Sequence, residues 1–364
     1  MNLNNYTIGV EEEYMICNPA DGELINKADE IMSIIPDNLK DRFSYELLLS
    51  EIESNTVICD NVQEACSNVL FNRNFLSEIG DKLGFKLGIS GTHPTANPFK
   101  QKFVDNESYN WVSDQLKYYA QRNITFSTHI HIGVQDPETI IKVTNSLRRW
   151  IAPLLALSVN SPFFNSIETG MHSSRTFQFS TFPRTNIPGY IKNLKEYNDL
   201  VDLYIKSGSI EKNRQIWWKI RPHIEYNTVE LRVCDIQRSI RNTELLIAIT
   251  QALVRTIIIE EDFIKEDYNY EVLQDGLWKS AKYGLNAKII DPYTLNVLSV
   301  KNMIKIMLNY CDGSLKYFNN NHIKNYVNNI IKSGSESIEQ LEVYKKDGFP
   351  GLRKYLIDNV EYNY

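Results

Sequence analysis

Thr128-His129-Ile130-His131-Ile132-Gly133-Val134 alternates without a break. Side chains two apart on a strand share a face, so Ile130, Ile132 and Val134 point one way and His129 and His131 the other. The same parity test sorts four more segments. In Gly9-Val10-Glu11-Glu12-Glu13-Tyr14, Glu11 and Glu13 oppose Val10, Glu12 and Tyr14. Glu51, Glu53 and Asn55 oppose Ile52. Glu230 and Arg232 oppose Val229, Leu231 and Val233, and Arg221, His223 and Glu225 repeat at the same period. Five segments thus carry ionisable groups on one face and hydrophobes on most of the other.

Working outward, strands are expected over Thr7–Ile16, Leu48–Ile58, Phe85–Gly91 and Thr125–Val134. Gln215–Glu225 and Thr228–Asp235, joined at Tyr226-Asn227, read as a hairpin. A helix should run from a cap at Asp60 to Gly84, and another should start at Asp136-Pro137-Glu138 and kink or end at Pro153. Thr243–Ile259 is a third amphipathic run. Helices alternating irregularly with strands, one pair being a hairpin, predict an α+β fold with a largely antiparallel sheet and helices on one side. No repeat or linker divides residues 1–364, so one domain is expected, helical from about residue 262.

Composition narrows the function. The chain has 364 residues, and its 39 Lys+Arg against 45 Asp+Glu give a net charge of -6, the wrong sign for a nucleic-acid or anionic-membrane binder. The five cysteines are scattered without a CxxC, which argues against a disulfide framework and a thiolate zinc site. The apolar runs Ile151–Val159 and Leu245–Ile259 read as too short or too interrupted to span a bilayer. A cytoplasmic protein acting on small molecules is expected, with a homodimer as the commonest default.

Ordinary antiparallel sheets also carry a solvated polar face. Such faces favour Lys, Thr and Ser, whereas these carry Glu, His and Arg. Two carboxylates ~5 Å apart repel by roughly 3 kcal/mol at an effective dielectric of about 20, so converging acids call for a cation. Hard oxygen donors favour Mg²⁺, with Mn²⁺ as an alternative. His129 and His131 could instead serve a zinc hydrolase, although HExxH is missing. No P-loop and no GxGxxG occur, so any ATP phosphates must be held by metal and by arginines, with Arg175, Arg184, Arg221 and Arg232 as candidates.

Several segments together carry a resemblance. Gly9-Val10-Glu11-Glu12-Glu13, Glu46-Leu47-Leu48 through Glu53-Ser54-Asn55-Thr56, Gly91-Thr92-His93-Pro94, Thr128 to Val134, and Ile220-Arg221-Pro222 with Thr228 to Asp235 resemble the glutamate–cysteine ligase type 2 family of bacterial carboxylate–amine ligases. Leu154 to Ser158, Asn160-Ser161-Pro162, Ser174-Arg175 and Phe182-Pro183-Arg184 fit in the same order. The resemblance implies a glutamine-synthetase-like fold, a curved antiparallel sheet whose concave face holds ATP, Mg²⁺ and substrates, with helices on its outer face. It maps metal ligands onto Glu11, Glu13, Glu46, Glu53, His131 and Glu230. Arg232 and Arg175 are placed at the reacting phosphate, and Arg221 and Arg184 with Arg232 at the nucleotide. Glu46 has the wrong parity for the Glu53 face, so a bulge or irregular entry is expected there, and Glu51 stands where Gln is expected. The activity implied is ATP-dependent amide formation through an acyl phosphate, nominally from glutamate and cysteine. A non-catalytic nucleotide-binding protein on the same scaffold is the other alternative.

Overall fold

The computed structural model describes residues 5–264 and 266–364. Seven strands form the main sheet: β1 (Ile8–Cys17), β2 (Phe43–Tyr45), β3 (Glu51–Asn55), β4 (Lys86–Gly88), β5 (Thr128–Gly133), β6 (Ile220–His223) and β7 (Thr228–Leu231). Their order is β2-β3-β1-β5-β7-β6, with β4 beside the end of β1 that β5 leaves free, and every pairing is antiparallel. The strands are shorter than the alternation suggested. Leu48–Ser50 and Ile216–Lys219, read as strand, lie outside the ladders.

The register fixes both faces. Gly9 faces His131, Glu11 lies between Asn55 and His129, Glu13 faces Glu53, and His131 and Arg221 flank Glu230. On the opposite face Ile8, Val10, Ile130, Ile132, Val229 and Leu231 are buried in one core. Packed on it are α1 (Val62–Leu83), α2 (Pro137–Leu147), α3 (Ile151–Ser158) and α4 (Ile240–Ile259), through residues such as Val69, Val143, Leu154 and Ile249. The fold is therefore α+β with helices on one face, as the sequence predicts.

Helix boundaries refine the reading. The cap of α1 is Asn61 rather than Asp60; its side chain accepts from the Glu64 amide while Glu64 reaches back to the Asp60 amide. Gly84, at φ 71°, ends the helix in the left-handed region. The break before α3 comes at a 3-10 turn over Arg148–Trp150, ahead of Pro153, which sits in the first turn of α3, where its missing N–H costs nothing. Helix α4 starts three residues earlier than expected. At 20 residues, five more than the apolar run Leu245–Ile259, it passes by length and composition for a helix that could cross a membrane, with an 18-residue window of mean hydropathy 1.4, but 78% of that window is buried inside the protein, as in the core helix of a globular fold.

Glu12 is the exception on the helix-facing side of β1. It is buried, and Arg73 of α1 grips both oxygens, Nε at 3.0 Å and Nη2 at 2.9 Å. Tyr14 Oη at 2.6 Å and Thr243 Oγ1 at 3.2 Å complete its shell. The remaining Arg73 donors go to the carbonyls of Gln237, Arg238 and Glu361. Removing one partner strands a buried charge, so Arg73→Met or Glu12→Gln should each lower stability by about 3–5 kcal/mol. The double variant should lose less than the sum, as read from urea midpoints.

Candidate active site

The polar face opens into a hollow of about 580 Å³. Glu11 and Glu13 line it from β1, Glu53 from β3, His129 from β5, and Arg221 and Arg232 from the β6–β7 hairpin; Glu46, Tyr109, Arg175 and Trp217 come from flanking segments. A side chain at Gly9 would set its Cβ 3.5 Å from that of His131, so with glycine there the floor beside His131 is backbone.

Ligand atoms converge in three groups, each within 4.8 Å: Glu11, His131 and Glu230; Glu11, Glu53 and His129; Glu13, Glu46 and Glu53. All six residues that the sequence reading proposed as metal ligands are in them. His129 joins as a seventh, where the resemblance gave only His131. It bridges the acids: Nδ1 lies 2.8 Å from Glu11, and Nε2 2.6 Å from Ser127 Oγ, which with the Ser127 amide donates to Glu13 at 2.6 Å.

Glu46 arrives by a different route from the one expected. It follows β2, two residues beyond Ser44, and Ser44 is the register partner of Glu53. Parity along β2 therefore puts Glu46 on the Glu53 face, and no bulge in β3 is needed. The mismatch came from counting along one strand where two are present. Arg184 does not line the hollow; its guanidinium lies over the Tyr204 ring and its Nε faces the Gln215 carbonyl at 3.5 Å.

The electrostatics differ from end to end. Glu230 is fully buried between the guanidiniums of Arg221 and Arg232, both hydrogen-bonded to it. Burial opposes its ionisation, but the two arginines outweigh that and hold it far below the usual carboxylate range. Toward β2 and β3 no lysine or arginine pairs with Glu46 or Glu53 among the described residues. Burial and the charge of Glu53 push Glu46 well above its ordinary value, and burial with the charge of Glu11 raises Glu53 to about 7. Glu51, buried beside Met15, is also pushed well up by burial and by Glu13.

These residues fit a divalent cation on two grounds. His131 Nε2 is buried with no hydrogen-bond partner, 3.2 Å from Glu11 and 3.9 Å from Glu230. The donors are oxygen-rich, with one imidazole in each of two groups and none in the third, a set suited to Mg²⁺ or Mn²⁺. His129 and His131 fall in different groups, so among the described residues no group brings the two imidazoles together as a two-histidine zinc site would.

Comparisons with known proteins agree with this geometry. The sequence pattern described as glutamate-cysteine ligase family 2 matches residues 7–354. A Solibacter usitatus protein provisionally named glutamate–cysteine ligase 2 is 32% identical, covering 98% of this chain and 94% of its own. One from Rubrobacter xylanophilus, provisionally named glutamate–cysteine ligase 2-1, is 33% identical over 98% and 95%. Among solved structures, the Francisella tularensis glutamate–cysteine ligase in complex with AMP superimposes with a TM-score of 0.75 at 13% identity, covering 99% of this chain and 89% of that one. A bifunctional glutathione synthetase from Pasteurella multocida gives 0.67 at 11% identity over 96% and 51%. The match in sequence runs almost end to end and carries the strands that build the hollow: the chain belongs to glutamate–cysteine ligase family 2.

Proposed function

We propose that the chain is an ATP- and Mg²⁺-dependent carboxylate–amine ligase that forms an amide through an acyl phosphate, with glutamate and cysteine as the nominal pair. The observation that carries this reading is the convergence of three ligand groups on one face of the sheet, beside a guanidinium-rich wall. Glu11, Glu13, Glu46, Glu53, His129, His131 and Glu230 would hold the metal. When bound, Mg²⁺ supplies positive charge to phosphate oxygens.

A substrate carboxylate oxygen attacks the γ-phosphorus of ATP, the bond to the β-phosphate oxygen breaks, and ADP leaves. The amine then attacks the acyl carbon, the carbon–oxygen bond to phosphate breaks, and phosphate departs as the nitrogen loses its proton. Such chemistry asks for placement and charge neutralisation rather than a protein nucleophile. Arg232 and Arg221 suit it because Glu230 fixes both guanidiniums. Arg175 is anchored to the carbonyls of Val233 and Arg232. All five described cysteines are buried and unpaired, so no thiol is offered as nucleophile.

Two outcomes test the reading. ADP release from Mg²⁺-ATP should depend on both a carboxylate and an amine substrate, and should fall at least about 10²-fold in Glu53→Ala and Glu230→Ala while the variants stay folded by circular dichroism. Full activity in both would overturn it. The second concerns pH without metal. A raised carboxyl pKa means that the fold favours the neutral acid, so this contribution to stability is present at low pH and is lost as pH rises through about 7, the value for Glu53. In chelator the protein should melt lower at pH 8 than at pH 6, Mg²⁺ should close most of that gap, and Glu53→Gln should flatten it.

A further inference from the structure

At the rim of the hollow two rings lie flat against each other, outside the three ligand groups and beside the guanidinium wall. His223 ends β6 with the parity of Arg221, and Tyr226 follows in the 3-10 turn Ile224–Tyr226 of the hairpin. Their centroids are 4.2 Å apart and their planes differ by 3°. Both line the hollow. The turn is tied down on each side of Asn227, which has a φ of 52°. The Asn227 amide donates to the Ile224 carbonyl at 3.2 Å, and the Asn227 carbonyl accepts from the Val134 amide at 2.8 Å.

The pair adjoins the group of Glu11, His131 and Glu230. The ring of His131 is 5.8 Å from that of His223 and 6.5 Å from that of Tyr226. Thr228, the register partner of His223, places its hydroxyl 3.0 Å from His131 Nδ1, which leaves Nε2 toward Glu11 and Glu230. Tyr226 also stands apart from the other Phe, Tyr and Trp rings of the lining. It is 68% exposed although His223 covers one of its faces, whereas the others are buried or half-buried. Several of those are already covered: Phe43 stacks on Phe75, Phe182 meets Trp217, and Phe179 lies under Arg175. A flat ring backed by a second ring and open on its outer face is a stacking surface, and a nucleobase needs only its π-face to use one.

We propose that the Tyr226–His223 pair is the platform for the base of the nucleotide, which stacks on the outer face of Tyr226 with its phosphates toward Glu11, His131 and Glu230. The inference rests on the ligase reading and adds to it an orientation. The base sits at the β6–β7 turn, and the end of the hollow near β2 and β3 is left to the other substrates. Stacking draws on the ring rather than on its hydroxyl, so phenylalanine at this position serves equally well.

The test is calorimetric binding to the full-length protein in Mg²⁺, with the β,γ-imido analogue of ATP as one ligand and inorganic tripolyphosphate, which has no base, as the other. Tyr226→Ala should weaken the analogue about tenfold or more and leave tripolyphosphate within about twofold, as expected for loss of one stacked base. Tyr226→Phe should keep the analogue within about twofold of wild type. Unchanged affinity for the analogue in Tyr226→Ala overturns the proposal. Equal weakening of both ligands in that variant, or loss of its fold, marks a ring pair that only braces the hairpin and overturns it as well. Binding requires no amine and no turnover. A chain that binds the analogue through Tyr226 yet forms no amide refutes the ligase reading alone, and one that forms amide with full nucleotide affinity in Tyr226→Ala refutes the platform alone.

Discussion

A pleated strand that carries three consecutive glutamates must send one of them the wrong way. On β1 the pleat delivers Glu11 and Glu13 to the hollow and drives Glu12 into the layer of helices. Arg73 makes that tolerable. Its fork neutralises Glu12, and its other donors bind the carbonyls of Gln237 and Arg238, in the segment that leaves Glu230, Arg232 and Asp235 and enters α4. One buried ion pair therefore ties the acid-bearing strand, the helix behind it and the exit from the hairpin into a single register. The site is held from behind by the charge it cannot use.

In front, the hollow is divided by charge. On the side of β2 and β3 the carboxylates crowd without an arginine or lysine, and burial makes their ionisation unfavourable. On the side of β6 and β7 the arginines already saturate Glu230 and leave donors without partners. One side lacks a cation, and the other leaves donors without an acceptor. A nucleotide triphosphate carried with divalent metal supplies both at once. That complementarity favours such a ligand over either a metal or an anion alone.

The sequence made the parity of the strands legible, because period-2 alternation of Ile and Val against Glu and His leaves no second register that buries the apolar set. With it came the polar face, the α+β class and most of the converging acid and imidazole groups. Glu46 was less legible. Its face depends on β2, a strand of three residues with no alternation of its own, and a count along the neighbouring strand gave the wrong sign. Arg184 stands out in the sequence by its residue type and by the Phe182-Pro183-Arg184 stretch of the resemblance, and loop geometry is set by packing that spacing does not encode.

Glu13 and Asp235 show how the two sides are kept apart. Glu13 takes two hydrogen bonds from Ser127, and an isolated bridge joins Ser127 to Asp235. Asp235 in turn fastens Ser161 and Ser173, which flank the turn into Arg175. Neither carboxylate can swing toward the other side of the hollow without breaking backbone contacts. Glu13 is thus held on the side of β1 and β3, while Asp235 stays against Arg175. Hydrogen bonds from serine fix Glu13 among the acids that have no arginine or lysine partner, and an acid so fixed leaves its charge to be completed by a ligand rather than by the protein itself.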